Sequence, residues 1–242
     1  MEELPKMEAY YPSGTAVANA APDARVTFIR QTYSHLAGAI LAFVLIEAAL
    51  FQTALPESMV GLLATSRYSW LIVLGAFMGV SYVANKWALS GTSLQVQYAG
   101  LGLYVVAEAV IFVPLLFIAA NYSGPEVIPT AGLLTLVLFT ALTFIAFTTK
   151  KDFSFLGSIL TVTSFVALGV IGVSILFGFT LGLFFSAVMV LVAAGAILYN
   201  TSNVMFRYNT SQYVAASLSL FASVALLFWY ILRIVMGGSR RS

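Results

Sequence analysis

Seven separate apolar stretches, each about the length needed to cross a bilayer, fill the chain from Tyr33 to Met236. A hydrocarbon core of roughly 30 Å takes about 20 residues of helix at 1.5 Å rise per residue. We place the spans at 33–55, 70–87, 96–120, 129–149, 155–177, 181–200 and 213–236. Runs such as Ala187 to Leu198 lack the two-residue alternation of a membrane β-barrel. The expected fold is all-α, a polytopic membrane protein whose short connections pack neighbouring helices antiparallel in one bundle. Charged residues are only 8% of the chain, against about 25% in a soluble domain. The formal net charge of +2 leaves no basic surface for nucleic acid. With no cysteine, disulfides and thiolate chemistry are excluded.

The residues before the first span are polar and contain Pro5, Pro12 and Pro22. We expect a disordered cytoplasmic tail over 1–27, a transmembrane domain over 28–236 and a short polar tail over 237–242. An N-terminus inside places Lys6, Arg25, Arg30, Lys86, Lys150, Lys151 and Arg207 in the cytoplasm and Arg67 outside, as the positive-inside rule favours. Seven full spans put Arg233, Arg240 and Arg241 outside, against the same rule.

Gly75 and Gly79 form a GxxxG pair in the second span, and Gly100, Gly102, Gly169, Gly172 and Gly195 are further candidates for close helix approach. Ionisable residues within spans are functional candidates by default, and there are few. Glu108 lies mid-span, six residues before Pro114, which deprives the carbonyl of Val110 of its helical donor. A carboxyl and a free carbonyl near one another make a candidate cation or proton site. Glu47, in the first span, is a candidate second acid on the same pathway. His35 lies twelve residues earlier, about 18 Å along the axis, so the two cannot share a metal ion; we expect a hydrogen-bonded helix-edge histidine. Lys86 and Arg233 are expected to reach the headgroups.

No metal site is expected, because His35 is the only histidine and no HExxH pattern occurs. Nor is there a GxSxG elbow or a phosphate-cradling GxxxxGK loop, and the seventh span has no lysine for a retinal Schiff base. The chain is not expected to be an enzyme, and no cofactor is implied.

The junction of the fourth and fifth spans reads Phe147-Thr148-Thr149-Lys150-Lys151-Asp152-Phe153-Ser154-Phe155-Leu156. On its own it is a basic turn with Asp152 near the positive end of the following helix. It resembles the corresponding loop of the Bax inhibitor-1 (transmembrane Bax inhibitor motif) family. Four other fragments fall in the same order. They are Phe28-Ile29-Arg30-Gln31-Thr32-Tyr33, Ala99-Gly100-Leu101-Gly102-Leu103-Tyr104 running on to Pro114, Ile197-Leu198-Tyr199-Asn200-Thr201, and Leu226-Leu227-Phe228-Trp229-Tyr230-Ile231-Leu232-Arg233.

The resemblance implies a seven-helix bundle with the seventh helix surrounded by the other six. It also implies calcium leak across the membrane, suppression of cell death in eukaryotes and, in bacteria, contact with a membrane-bound protease. A pair of aspartates on the last two helices forms a pH-sensitive latch in such proteins. Here Asn200 and Ser223 stand at those latch positions. Neither titrates in the range where a coupled carboxyl pair does, so the resemblance implies a latch that ignores pH, with Glu108 and Glu47 as the remaining in-span acids. The expected function is a calcium or cation leak; the alternative is a non-conducting regulator of a membrane protease or of a stress or cell-death response. The expected partners are the lipid bilayer and such a membrane protein, with Ca2+ as the transported ion. The compact loops favour a bacterial inner membrane, whereas oligomeric state is not encoded in any visible motif.

Overall fold

Length and composition set the main elements, and flanking proline, serine and left-handed residues set their ends. The computed structural model describes residues 15–66, 68–91 and 93–239. Residues 1–14 of the expected tail, with Lys6, lie outside the described residues, as do Arg67 and the closing Arg240 and Arg241. Among the described residues there are eight α-helices: α1 (Pro22–Leu50), α2 (Leu55–Thr65), α3 (Ser69–Ala88), α4 (Leu94–Tyr122), α5 (Val127–Thr149), α6 (Leu156–Phe177), α7 (Leu183–Phe206) and α8 (Tyr213–Ser239). All but α2 are long and apolar enough to cross a membrane. Pro22 starts α1 without loss, since the first-turn N–H has no helical acceptor. Ser93 caps α4 by accepting from the Val96 N–H at 3.3 Å. Gly178 ends α6 at φ 76°, in the left-handed region that suits glycine.

α8 is central, as expected, but it shares that role with α4. Half of the apolar window of α4 (50%) and of α8 (56%) is buried, against 11–22% in the other five spans. α8 packs against α1, α3, α4, α5 and α7, while α6 sits to the side, on α7 and the flank of α3. Aromatic rings fill the join of α1, α4 and α8. Phe112 meets Phe43 edge-on at 5.2 Å, meets Trp229 edge-on at 4.9 Å and stacks on Phe228 at 5.6 Å. Such geometries add to dispersion, which drives association where lipid supplies no hydrophobic gradient.

Three expectations need correction. First, the tail is folded from Thr15 onward. Val17 is fully buried and donates its N–H to the Tyr208 carbonyl at 2.9 Å, and the Thr210 N–H donates to the Thr15 carbonyl at 3.1 Å. Arg25 adds a bond to the Met205 carbonyl at 3.2 Å and lies 6.0 Å over the Phe206 ring. Backbone pairing and one buried valine hold what the polar composition alone marked as loose. Second, the GxxxG face of α3 packs against nothing, since a Cβ at Gly75 or Gly79 would meet no atom within 4 Å. The close approach is at Gly100 of α4, where a Cβ would lie 2.6 Å from both the Ala84 carbonyl oxygen and the Ala88 nitrogen of α3. Third, α1 begins eleven residues before the expected span, because its first turns are polar and protrude from the apolar stretch.

Candidate functional site

The bundle holds an open-sided cavity of about 1060 Å³ walled by α3, α4, α6, α7 and α8. Its lining is mainly apolar, and the polar groups fall at separate points. Among the described residues Glu108 is its only acidic and Arg233 its only basic lining residue; Asn85, Asn200, Ser219 and Ser223 line it as well. Helix spacing explains the set, because Ser219 and Ser223 are one turn apart on α8 and so share a face.

Asn200 of α7 and Ser223 of α8 meet directly. The Asn200 Nδ2 donates to Ser223 Oγ at 2.8 Å and to the Ser219 carbonyl at 3.1 Å, and Ser223 Oγ donates to the same carbonyl at 3.0 Å. Tyr208 and Ser219 extend the network through a hydroxyl pair at 2.9 Å. Asn200, the last residue of the expected span, does not end the helix: α7 continues to Phe206 and the amide reaches across to α8. Asn200, Ser223 and the Ser219 carbonyl form one closed, uncharged hydrogen-bond loop.

Glu108 is buried, at 6% exposure. The Tyr104 hydroxyl one turn back on α4 faces its carboxyl, with Ser81 of α3 alongside. Glu47 is equally buried, at 7%, and neither carboxyl oxygen has a hydrogen-bond partner among the described residues. It does not line the large cavity, so the two acids proposed for one pathway are kept apart. Among the described residues no three or more acidic or histidine side chains gather as metal ligands would.

His35 bonds the Gln31 carbonyl through Nδ1 at 2.7 Å and the Tyr98 hydroxyl through Nε2 at 2.8 Å, with the Tyr98 ring stacked beside it at 5.4 Å. It ties α1 to α4 at the end of the bundle that carries the N-terminus.

The basic turn does more than lead into α6. Lys150 ends α5 in the left-handed region at φ 51°, and both Lys150 and Lys151 are exposed. Asp152 does not cap α6. It accepts from the Ser154 N–H at 2.9 Å, from Ser202 Oγ at 3.3 Å and from the Arg207 guanidinium at 3.4 Å. The Ser154 N–H is the main cause that holds its carboxyl below the usual carboxylate range. The loop is thereby fastened to the last turn of α7.

Two participants escaped the sequence reading. Tyr104 carried a signal, its spacing of four residues from Glu108. Arg233 lines the cavity and donates to the Leu181 carbonyl, in the connection between α6 and α7, at 3.1 Å, a contact that no local pattern announces.

Comparison with known proteins fits this architecture. An uncharacterised protein of Pseudomonas aeruginosa is 31% identical over 69% of this chain and 75% of its own length. Bax inhibitor 1 of Schizosaccharomyces pombe is 27% identical over 91% of this chain and 80% of its own length. The Golgi anti-apoptotic protein of vaccinia virus is 28% identical over 92% and 90% respectively. The family model described as Inhibitor of apoptosis-promoting Bax1 matches residues 25–241, nearly the whole bundle, and the chain belongs to that Bax inhibitor family of membrane proteins.

Proposed function

We propose that the protein is a calcium or cation leak of a bacterial inner membrane, acting without catalysis, with Glu108 as the acid of the pathway and Asn200–Ser223 as a latch that does not respond to pH. The observation that carries this reading is the shared cavity. One continuous space touches the buried Glu108 carboxyl, Asn200 and Ser223. A carboxyl facing a tyrosine hydroxyl inside a membrane protein is a suitable stop for a cation or a proton.

The test is calcium flux into liposomes holding the purified protein, scanned from about pH 5 to 8, the interval in which buried carboxyls titrate. Flux that falls sharply in Glu108→Gln, and that gains a new pH dependence when Asn200→Asp and Ser223→Asp are combined, supports the reading. Equal flux with the same pH profile in wild type and Glu108→Gln rejects Glu108 as the acid.

The predominantly apolar lining favours a second reading, in which the bundle does not conduct and acts by lateral contact on a membrane protein such as a protease. No flux above empty liposomes at any pH selects it.

A further inference from the structure

The large cavity has a charge pattern and an opening that a cation pathway does not require. Arg233 is its single cation. One of its N–H groups is bonded to the Leu181 carbonyl; the guanidinium has five donors in all. The one ion pair among the described residues is Arg207–Asp152, far along the chain from Arg233. A half-buried guanidinium at the margin of a largely apolar cavity, held by a carbonyl and paired with no carboxylate among the described residues, is matched to an anion. Arg pairs carboxylates through two parallel N–H bonds.

The remaining wall specifies the rest of that anion. Leu115, Ile171, Ala222 and Leu226 line the cavity beyond Arg233. From Arg233 to Ser223 is ten residues of α8, about 15 Å, which is half the hydrocarbon thickness and the depth of one leaflet's acyl chain. The cavity also reaches the surface sideways. Met78 on α3, 50% exposed, and the exposed Ser164 on α6 both belong to its lining, where α6 leans on α7 and barely touches α3. Where the cavity opens between these helices, its neighbour in a bilayer is lipid. At about 1060 Å³, it is at the upper end of the roughly 300–1,000 Å³ in which proteins hold one small ligand.

We propose that this cavity binds a long-chain fatty acid entering between α3 and α6, with the carboxylate on Arg233 and the tail along Leu226 and Ala222 toward Ser223. Ligand binding here is independent of whether ions cross the protein.

Two of the three tryptophans, Trp70 and Trp229, line the cavity, and Trp87 does not. In detergent-solubilised Trp87→Phe protein, dibromostearic acid at mildly alkaline pH is expected to quench the remaining fluorescence saturably, with oleic acid reversing it. The methyl ester of the same brominated acid, which lacks the charge, is expected to bind about tenfold more weakly, as loss of a charge-assisted pair implies. Arg233→Gln is expected to bring the acid down to the level of the ester and leave the ester unchanged. Ala222→Phe, on the wall away from Arg233, is expected to weaken both. Quenching that rises linearly with ligand and is equal for acid and ester overturns the proposal. Saturable quenching that ignores the charge also overturns it, leaving a neutral lipid as the occupant. The comparison of acid with ester needs only the Trp87→Phe protein, so it decides the matter even if Arg233→Gln does not fold.

Discussion

Two polar ties hold the same helix, and they are built on opposite principles. At its last turn, α7 is fastened to the α5–α6 loop by the Asp152 carboxylate, with Arg207 and Ser202 as donors. Less than a turn before Ser202, it is fastened to α8 by Asn200, Ser219 and Ser223, with no formal charge. In solvent a carboxylate and a guanidinium are inexpensive to keep ionised, but the pair is screened and contributes little. Inside the bundle a charge is costly to bury and a neutral hydrogen bond is not. The tie between α7 and α8 thus uses the chemistry that low dielectric favours, and the charged chemistry is confined to the exposed loop.

The largest effect is expected from exporting the loop's chemistry into the bundle. Asn200→Asp replaces a donor of two bonds by a group that donates only when protonated, opposite the Ser219 carbonyl. Stability in detergent is expected to fall with rising pH more steeply than that of wild type, by up to about 3 kcal/mol more at neutral pH. A Tm profile for Asn200→Asp that runs parallel to the wild-type profile breaks the comparison. Asn200→Leu removes both bonds without adding charge, and should cost about 1–3 kcal/mol equally at every pH.

On the loop side the effects are smaller. Ser202 is fully buried and receives the Phe153 N–H at 3.0 Å, so Ser202→Ala is expected to cost about 1 kcal/mol by thermal unfolding. Asp152→Asn should be the mildest change, and salt should erase most of it. Its sign with pH is fixed by the depressed carboxyl. The contribution of Asp152 is complete above the ordinary carboxylate value of about 4 and disappears as pH falls through the lower folded value. Wild-type and Asp152→Asn melting curves should therefore differ at neutral pH and converge only in acid.

The spans were legible because seven runs of about twenty apolar residues admit almost no other solution in a membrane. Details that depend on which face of a helix meets which neighbour were not. Gly75 and Gly79 have the spacing of a packing motif and face open space, whereas Gly100, without a GxxxG partner, is where two backbones touch. The short α2 escaped because its eleven residues are too few to cross a membrane and lie between two spans. The candidate site divides in the same way. Glu108, Asn200 and Ser223 could be named one by one, Glu108 by the rarity of acids in membranes and the pair by resemblance. Their placement on one cavity, the exclusion of Glu47 from it and the bond from Arg233 to Leu181 arise from contacts between distant segments, which local periodicity does not encode.

The docking of Thr15 and Val17 on the turn between α7 and α8 sets an order of events. Arg25 and the Met205 carbonyl that it binds are 180 residues apart, so the beginning of the chain has no seat until nearly all of it has left the ribosome. Until then Val17 is exposed and its backbone unpaired, and closing so long a loop is among the later steps of folding. A seated Val17 thus reports that α7 and the turn after it are in place: a protease that cleaves near Val17 would sample chains that lack them and spare folded ones.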